Sequence, residues 1–364
     1  MIVAVVGHDA SDAALGKRIG QMRAEGHEVR VASYERAGRE SRLSGGFVSL
    51  GTTADGAFGQ RLAATGRAAR QLSRAGWLRG VQVCWARNLD AGLAAVAGGA
   101  GGRAGPPLIY ECLDVHDLLS GEGFAARAAR TLEARVVRRA ARIVVSAPAF
   151  EREHFALRYG RTGLDLIENR LADPGPRPPS PPRPDPPLTI GWFGILRCQR
   201  SLDLLLAACE AADGALRLVL RGRPAEVALP RFAAQVASCP HATFGGPYAA
   251  PDDLAAIYAG ADLVWAGDWS QVGANSRWLL PNRLYEAGWH GVPVIAPDST
   301  ATAAWVRERG TGFVVPDDPT PTDVWTAVRE ADLRALRSAV AAAPDALFAA
   351  APGEVTDVLA RAAC

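Results

Sequence analysis

Residues 279–298 read LLPNRLYEAGWHGVPVIAPD, and the reading of this stretch decides the fold. A helix opens near Pro281–Asn282, with Asn282 a suitable N-cap, and Gly291 supplies the stop. Val-Ile-Ala after Gly-Val-Pro predicts a strand over 293–297 that is covered on both faces, as in a parallel sheet. Glu286 falls on the first turns of the helix. A helix N-terminus offers free N–H groups and partial positive charge, which suits a diphosphate. A carboxylate one turn further in can accept hydrogen bonds from ribose hydroxyls. The residues suit a sugar nucleotide, and equally an ordinary helix-to-strand unit with an exposed glutamate.

The same alternation extends outward in both directions. In the first half, IVAVV (2–6) precedes a helix near 12–25 and EVRVAS (28–33). VQVCWA (81–86), PLIYEC (107–112), a long helix near 124–141 and RIVVSA (142–147) follow. In the second half, TIGWFG (189–194), a helix near 201–212, LRLVLRG (216–222), ATFGG (242–246), a helix near 252–260 and DLVWAG (262–267) lead to the opening stretch. Alternation of this kind predicts an α/β fold of two Rossmann-like domains, with parallel sheets flanked by helices and a ligand cleft between domains. Residues 173–187, DPGPRPPSPPRPDPP, hold nine prolines and read as a linker. The expected domains are 1–172 and 188–344, with 345–364 a last helix that crosses back to the first.

With 364 residues, 49% hydrophobic and 21% charged, the chain can build two full cores. Residues 1–172 carry 24 basic and 17 acidic groups, and residues 173–364 carry 16 and 21, so the first half is basic and the second acidic. The basic half suits an anionic membrane or a phosphorylated acceptor, and no feature calls for nucleic acid. The arginine-rich helix 124–145 (Arg127, Arg130, Arg135, Arg138, Arg139, Arg142) suits a membrane surface, and equally a solvated crossover helix. Six scattered cysteines without C-x-x-C spacing read as buried free thiols in a reducing compartment. Six scattered histidines offer no metal-ligand spacing. Met1 runs directly into a strand, and no apolar run reaches the roughly 20 residues that span a bilayer. The expected location is the cytoplasm or the inner face of the plasma membrane.

Several residues gather at the expected strand ends. Gly194 ends one strand and lets a phosphate approach the backbone. Arg197 and Arg200 follow before a Ser201 cap, and Arg221 ends the neighbouring strand. Three guanidiniums there would clamp a diphosphate without a metal. Arg283 would touch phosphate or acceptor, or pair with Asp268. Trp265 reads as core, whereas Trp278, in a polar loop, is the better stacking surface for a base or sugar. In the first half, His8 and Asp9 follow a strand-ending glycine, and YECLDVHDLL (110–119) brings Asp114, His116 and Asp117.

The segment around Glu286 resembles the donor-site helix of two-domain GT-B glycosyltransferases, a Glu on a helix followed by G-x-P-V-I/V-A. NSRWLLPNRLYE, from Asn275, is similar to the succinoglycan-type members of exopolysaccharide clusters. Glu286 matches the second Glu of the family's E-x(7)-E pattern, and Trp278 stands where the first would be. The usual contact to the donor hexose is therefore missing. Gly194, Arg200 and Gly222 match the family's strand-end glycine, its cation six residues on and its second glycine turn. YECLDVHDLL resembles a Y-E-x-H-D strand end in either of two registers. ARNLDAG (86–92) resembles a segment in which Arg87 and Asn88 line the acceptor cleft beside His8.

The resemblance implies transfer of a hexose from a nucleotide sugar, with UDP expected, to a saccharide or lipid-linked oligosaccharide in exopolysaccharide assembly. No cofactor and no metal are expected. If the enzyme inverts, Asp114, His116 and Asp9, in that order, are the candidate bases; a retaining enzyme needs none. The alternatives are a sugar-nucleotide epimerase and a degenerate scaffold. A pyridoxal-dependent phosphorylase would have only Lys17 to use, and a dinucleotide oxidoreductase would want a G-x-G-x-x-G that is not found.

Overall fold

The computed structural model describes the chain except residues 39, 44, 54–57, 75, 116–118, 120, 180–186 and 272–274, and the side chains of 58–64 and 74. The chain forms two compact units, one of residues 1–168 with 351–364 and one of residues 169–350.

The first unit is a seven-stranded parallel sheet. Its strands are β1 (Ile2–Gly7), β2 (Glu28–Arg36), β3 (Val48–Thr53), β4 (Val83–Arg87), β5 (Leu108–Cys112), β6 (Ala140–Val145) and β7 (Asp165–Leu166). Their order is β3-β2-β1-β4-β5-β6-β7. β3, half polar as VSLGTT, was not anticipated; it pairs with β2 at the sheet edge. The flanking helices include α1 (Ala13–Ala24), α2 (Phe58–Arg74), α3 (Asn88–Ala97) and α4 (Phe124–Arg139). A π-helical turn spans Glu151–Ala156.

The second unit is a six-stranded parallel sheet of order β10-β9-β8-β11-β12-β13. Its strands are β8 (Leu188–Leu196), β9 (Leu216–Pro224), β10 (Ala242–Phe244), β11 (Leu263–Trp265), β12 (Val294–Pro297) and β13 (Gly312–Val315). The helices used below are α5 (Gln199–Ala211), α6 (Leu254–Ala259), α7 (Asn282–Trp289) and α8 (Leu333–Ala342). Leu202, Leu205, Leu206 and Cys209 of α5 pack on Ile190 and Trp192 of β8 and Leu218 of β9 in one core.

The final helix, α9 (Glu354–Ala363), belongs to the first unit. Val355, Val358, Leu359 and Ala362, spaced as one helical stripe, join the core of Val3, Val5, Leu15 and Ile19. Glu25 accepts hydrogen bonds from the backbone N–H of Gly353 (3.2 Å) and Thr356 (2.8 Å), so an anion sits at the N-terminus of α9.

In both sheets the chain builds outward from the first strand and then returns to its other side. The reversal falls between β1 and β4 in one unit and between β8 and β11 in the other. Crevices beyond the carboxyl ends of such strand pairs are where α/β sheets bind ligands.

Candidate functional site

In the second unit, β8 and β9 run in register, with Gly194 opposite Gly222. Both have positive φ, +107° and +129°, and a Cβ on Gly222 would stand 1.8 Å from the Gly194 carbonyl oxygen. Glycine is required for the two backbones to approach this closely. The strand continues past Gly194 to Leu196. The cap of α5 is Cys198, whose sulfur accepts from the Ser201 N–H. The Ser201 hydroxyl instead joins the Gly267 carbonyl and the Trp265 indole N–H. Trp265 is a core residue, as its sequence context suggests.

At the reversal, Arg197 Nε lies 3.0 Å from Asp268 Oδ2. Burial would raise the Asp268 carboxyl, but Arg197, then Ser270, hold it below its usual range. Arg283, on the first turn of α7, faces the same carboxylate, and its NH1 donates to the Trp265 carbonyl oxygen at 3.4 Å. Glu286 lies one turn on and is half-buried. Its Oε2 accepts a 2.8 Å hydrogen bond from the Tyr258 hydroxyl. The Tyr258 ring is held by the edge of Phe193 at 5.1 Å and the face of His290 at 5.1 Å. Burial pushes the Tyr258 phenol well up, and the Glu286 charge adds to that. Tyr248 completes the group: its phenol is raised by burial and by Glu286, against Arg283 and Arg221. Its hydroxyl oxygen lies 3.9 Å from where a Gly194 Cβ would be.

Other expectations are corrected. Asn282 is not the N-cap; Pro281 is, without a side-chain cap, because the Asn282 side-chain oxygen takes the Asn169 amide instead. The three-arginine clamp is not assembled. Arg200 lies over the Trp269 ring at 4.1 Å and bonds the Asp318 carboxylate and the Asp317 carbonyl. Arg221 donates to the carbonyls of Gly246 (3.2 Å) and Pro247 (3.3 Å), and so fixes the loop that carries Tyr248. Trp278 is half-buried and ends a short helical turn, Asn275–Trp278. Gly291, with φ of +74°, follows the helix end as its type suggests.

In the first unit, the ends of β1, β4 and β5 gather buried charge. Glu111 receives Arg18 (3.1 Å) and the Trp85 indole N–H (2.7 Å), and Arg87 Nε stands 3.6 Å away. Burial would raise the Glu111 carboxyl, but Arg87 and then Arg18 overcome it and hold it low. Arg87 also faces Asp12 at 3.9 Å, and its guanidinium is wholly buried. His8 Nε2 approaches the same Asp12 at 3.8 Å. Asn88 adopts φ of +65°, and its side-chain oxygen accepts from the Leu113 N–H. Asp9, read from the sequence as a candidate base, is engaged by its own surroundings. It is buried, closes a turn through the Ser11 N–H (2.8 Å) and hydroxyl (2.7 Å), and faces Arg36. Asp114 is exposed in the loop after β5. His116 and Asp117 lie outside the described residues.

Sequence reading missed Tyr248, Tyr258 and His290, which surround Glu286, and the pairing of Arg18 with Glu111. Tyr258 precedes Glu286 by 28 residues in the chain, and no spacing rule links the two.

Residues 17–170 match the model of the glycosyl transferase 4-like domain, and residues 187–331 that of glycosyl transferases group 1. The chain is 38% identical over 326 residues to the succinoglycan biosynthesis protein ExoL of Rhizobium meliloti (strain 1021), covering 84% of this chain and 79% of that protein. Its fold is similar to that of sucrose-phosphate synthase from Thermosynechococcus elongatus (TM-score 0.71, 14% identity, 98% of this chain and 97% of that one). It is also similar to HepE of Anabaena in complex with UDP and glucose (TM-score 0.69, 15% identity, 99% of each chain).

Proposed function

The chain belongs to the glycosyltransferases, and we propose that it moves a hexose from a UDP-sugar to a hydroxyl of a lipid-linked saccharide during exopolysaccharide assembly. The observation that carries the donor half is Glu286, held by Tyr258 near the start of α7, beside Arg283 and the Arg197–Asp268 pair at the sheet reversal. The relative's role in succinoglycan biosynthesis and the UDP in the Anabaena complex support the two ends of the reading.

Glu286 would accept the ribose hydroxyls. The α7 N-terminus, Arg283 and Arg197 would take up charge on the leaving diphosphate, with Gly194 allowing close approach. Arg200 and Trp278 remain proposed donor contacts, Arg200 by leaving Asp318. Asn282 and Arg221 would act by fixing neighbouring backbone. Arg87, Asn88 and His8 would shape the acceptor side. If the reaction inverts, Asp114 stands first as base because it is exposed, with His116 beside it in sequence, while Asp9 is engaged in its turn. This mechanism uses no metal, and activity should survive EDTA.

Among the described residues no helix is long and apolar enough to cross a membrane. Contact with an anionic lipid face would fall to α4, whose Arg127, Arg135, Arg138 and Arg139 are exposed and whose Phe124 is 82% exposed.

The test is thermal denaturation with UDP, GDP, ADP and dTDP, on the wild type and Glu286→Ala. UDP should stabilise the wild type, by about 2.7 kcal/mol at 100 times Kd, and the variant far less. Absence of a shift with any nucleotide would overturn the donor-site reading.

A further inference from the structure

The aromatic group behind Glu286 carries a role that the donor-site reading does not assign. Tyr258 is fully buried on the short helix α6, yet its hydroxyl is aimed at the Glu286 carboxylate and reaches it at 2.8 Å. The ring has little freedom to turn away. Phe193 meets it edge-on at 86°, and His290 lies parallel to it, tilted by 10°. His290 is itself tied to α7, its Nδ1 2.7 Å from the Glu286 carbonyl oxygen. One side chain from β8, one from α6 and one from just past α7 thus converge behind a single carboxylate.

A glutamate side chain near the surface explores several rotamers, and ordering it to meet two vicinal hydroxyls costs entropy at each binding event. A fixed hydrogen bond to one oxygen removes that cost in advance. We propose that Tyr258 is a positioning residue that orients Glu286, so that the site selects ribonucleotides by their ribose hydroxyls. The inference rests on the donor-site reading above. Its content is different: Tyr258 touches no ligand, and its effect should appear only when the ligand carries the hydroxyls that Glu286 receives.

Isothermal titration of the full chain with UDP and with 2′,3′-dideoxy-UDP tests this. The wild type should prefer UDP. Tyr258→Phe keeps the ring between Phe193 and His290 and loses only the hydroxyl. It should bind UDP roughly three- to tenfold more weakly, the size of one lost hydrogen bond, and bind the dideoxy compound as the wild type does. Glu286→Gln should narrow the same preference, and adding it to Tyr258→Phe should produce less than the product of the two effects. Equal loss for both ligands in Tyr258→Phe would mean a packing role and overturn the inference, as would no loss for either. In both cases the wild type's binding of UDP leaves the donor site standing. Failure of the wild type to bind UDP removes the donor-site reading and the inference together.

Discussion

The two sheets reverse direction in the same way, but their reversal points treat charge differently. In the first unit, Arg18, Arg87 and Glu111 are all at most 2% exposed and compensate one another. In the second, Arg197 and Asp268 pair at 3.0 Å with side chains 36% and 15% exposed, and Arg283 and Glu286 are half-buried beside them. A charge network without solvent exposure maintains the strand ends and leaves little for a ligand to gain. A half-open network can exchange a water or a side chain for a diphosphate. The same topological position therefore serves stability in one unit and, on the proposed donor-site reading, binding in the other.

The largest effect should come from breaking the buried network. Arg87→Met leaves Glu111 and Asp12 short of compensation and should cost about 3–5 kcal/mol, read as a fall in the denaturation midpoint. Arg197→Met should cost less, about 1–2 kcal/mol, since Arg197 is 36% exposed and water can partly replace it at Asp268, yet should weaken UDP binding about tenfold or more. Equal stability losses in the two variants would erase the contrast.

The second unit also holds a structural arginine, at the opposite end of the helix that bears Glu286. Arg177 donates to the Gly288 and Trp289 carbonyls at the end of α7, and to those of Val340 and Ala343 at the end of α8. It lies 5.1 Å over the Phe348 ring. A cation at two helix C-termini is favourable on both counts. Arg177→Ala should cost about 2 kcal/mol in denaturant titration. Arg177→Lys should recover only part, because a single ammonium cannot replace a fork. UDP affinity should hold within about twofold in both, which separates the two ends of α7.

Next in size is the response to acid. Asp12 and Glu111 are lowered in the fold: burial opposes this, and Arg87 together with the neighbouring charges and hydrogen bonds outweighs it. A lowered carboxyl contributes fully above its unfolded value, near about pH 4, and loses that contribution as pH falls through the folded value. The first unit should therefore weaken below about pH 4, and Arg87→Met should flatten that dependence. Melting curves from pH 6 to 3 on both proteins show it.

What the sequence made legible follows from how local each feature is. The helix and strand of 282–297 were readable because glycine, proline and an apolar run act within a few residues of themselves. Gly194 and Gly222 were readable for the same reason, as each needs a positive φ. The Tyr258–Glu286 bond and the Arg18–Glu111 bond join residues 28 and 93 positions apart, and only the sheet order brings them together. The misplaced caps have a different cause. Asn282 and Ser201 are residues that cap helices well, but each found a better partner outside its own helix, Asn169 and the Trp265 indole. Likewise Arg200 and Arg221 met Asp318 and a loop backbone that no local rule supplies.

The smallest expected effect tests whether a displaced pKa implies stability. Asp298, at the end of β12, has its carboxyl lowered to about 2, first by the Arg307 guanidinium at 2.7 Å and then by the Ser299 N–H. Both side chains are about half exposed, at 44% and 54%. Unlike Glu111, this carboxyl owes little to burial, and water stands ready to replace its partner. Arg307→Gln should move the Asp298 titration midpoint, followed by NMR, up from about 2 towards the ordinary 3.8. The contribution of the pair is present above the unfolded value and fades only as pH falls towards about 2. At neutral pH the melting temperature should therefore stay within error, because solvent screening leaves an exposed pair close to neutral for the fold. A clear drop would mean that exposed pairs stabilise this fold as buried ones do. The division drawn between the two reversal points would then have to rest on position alone.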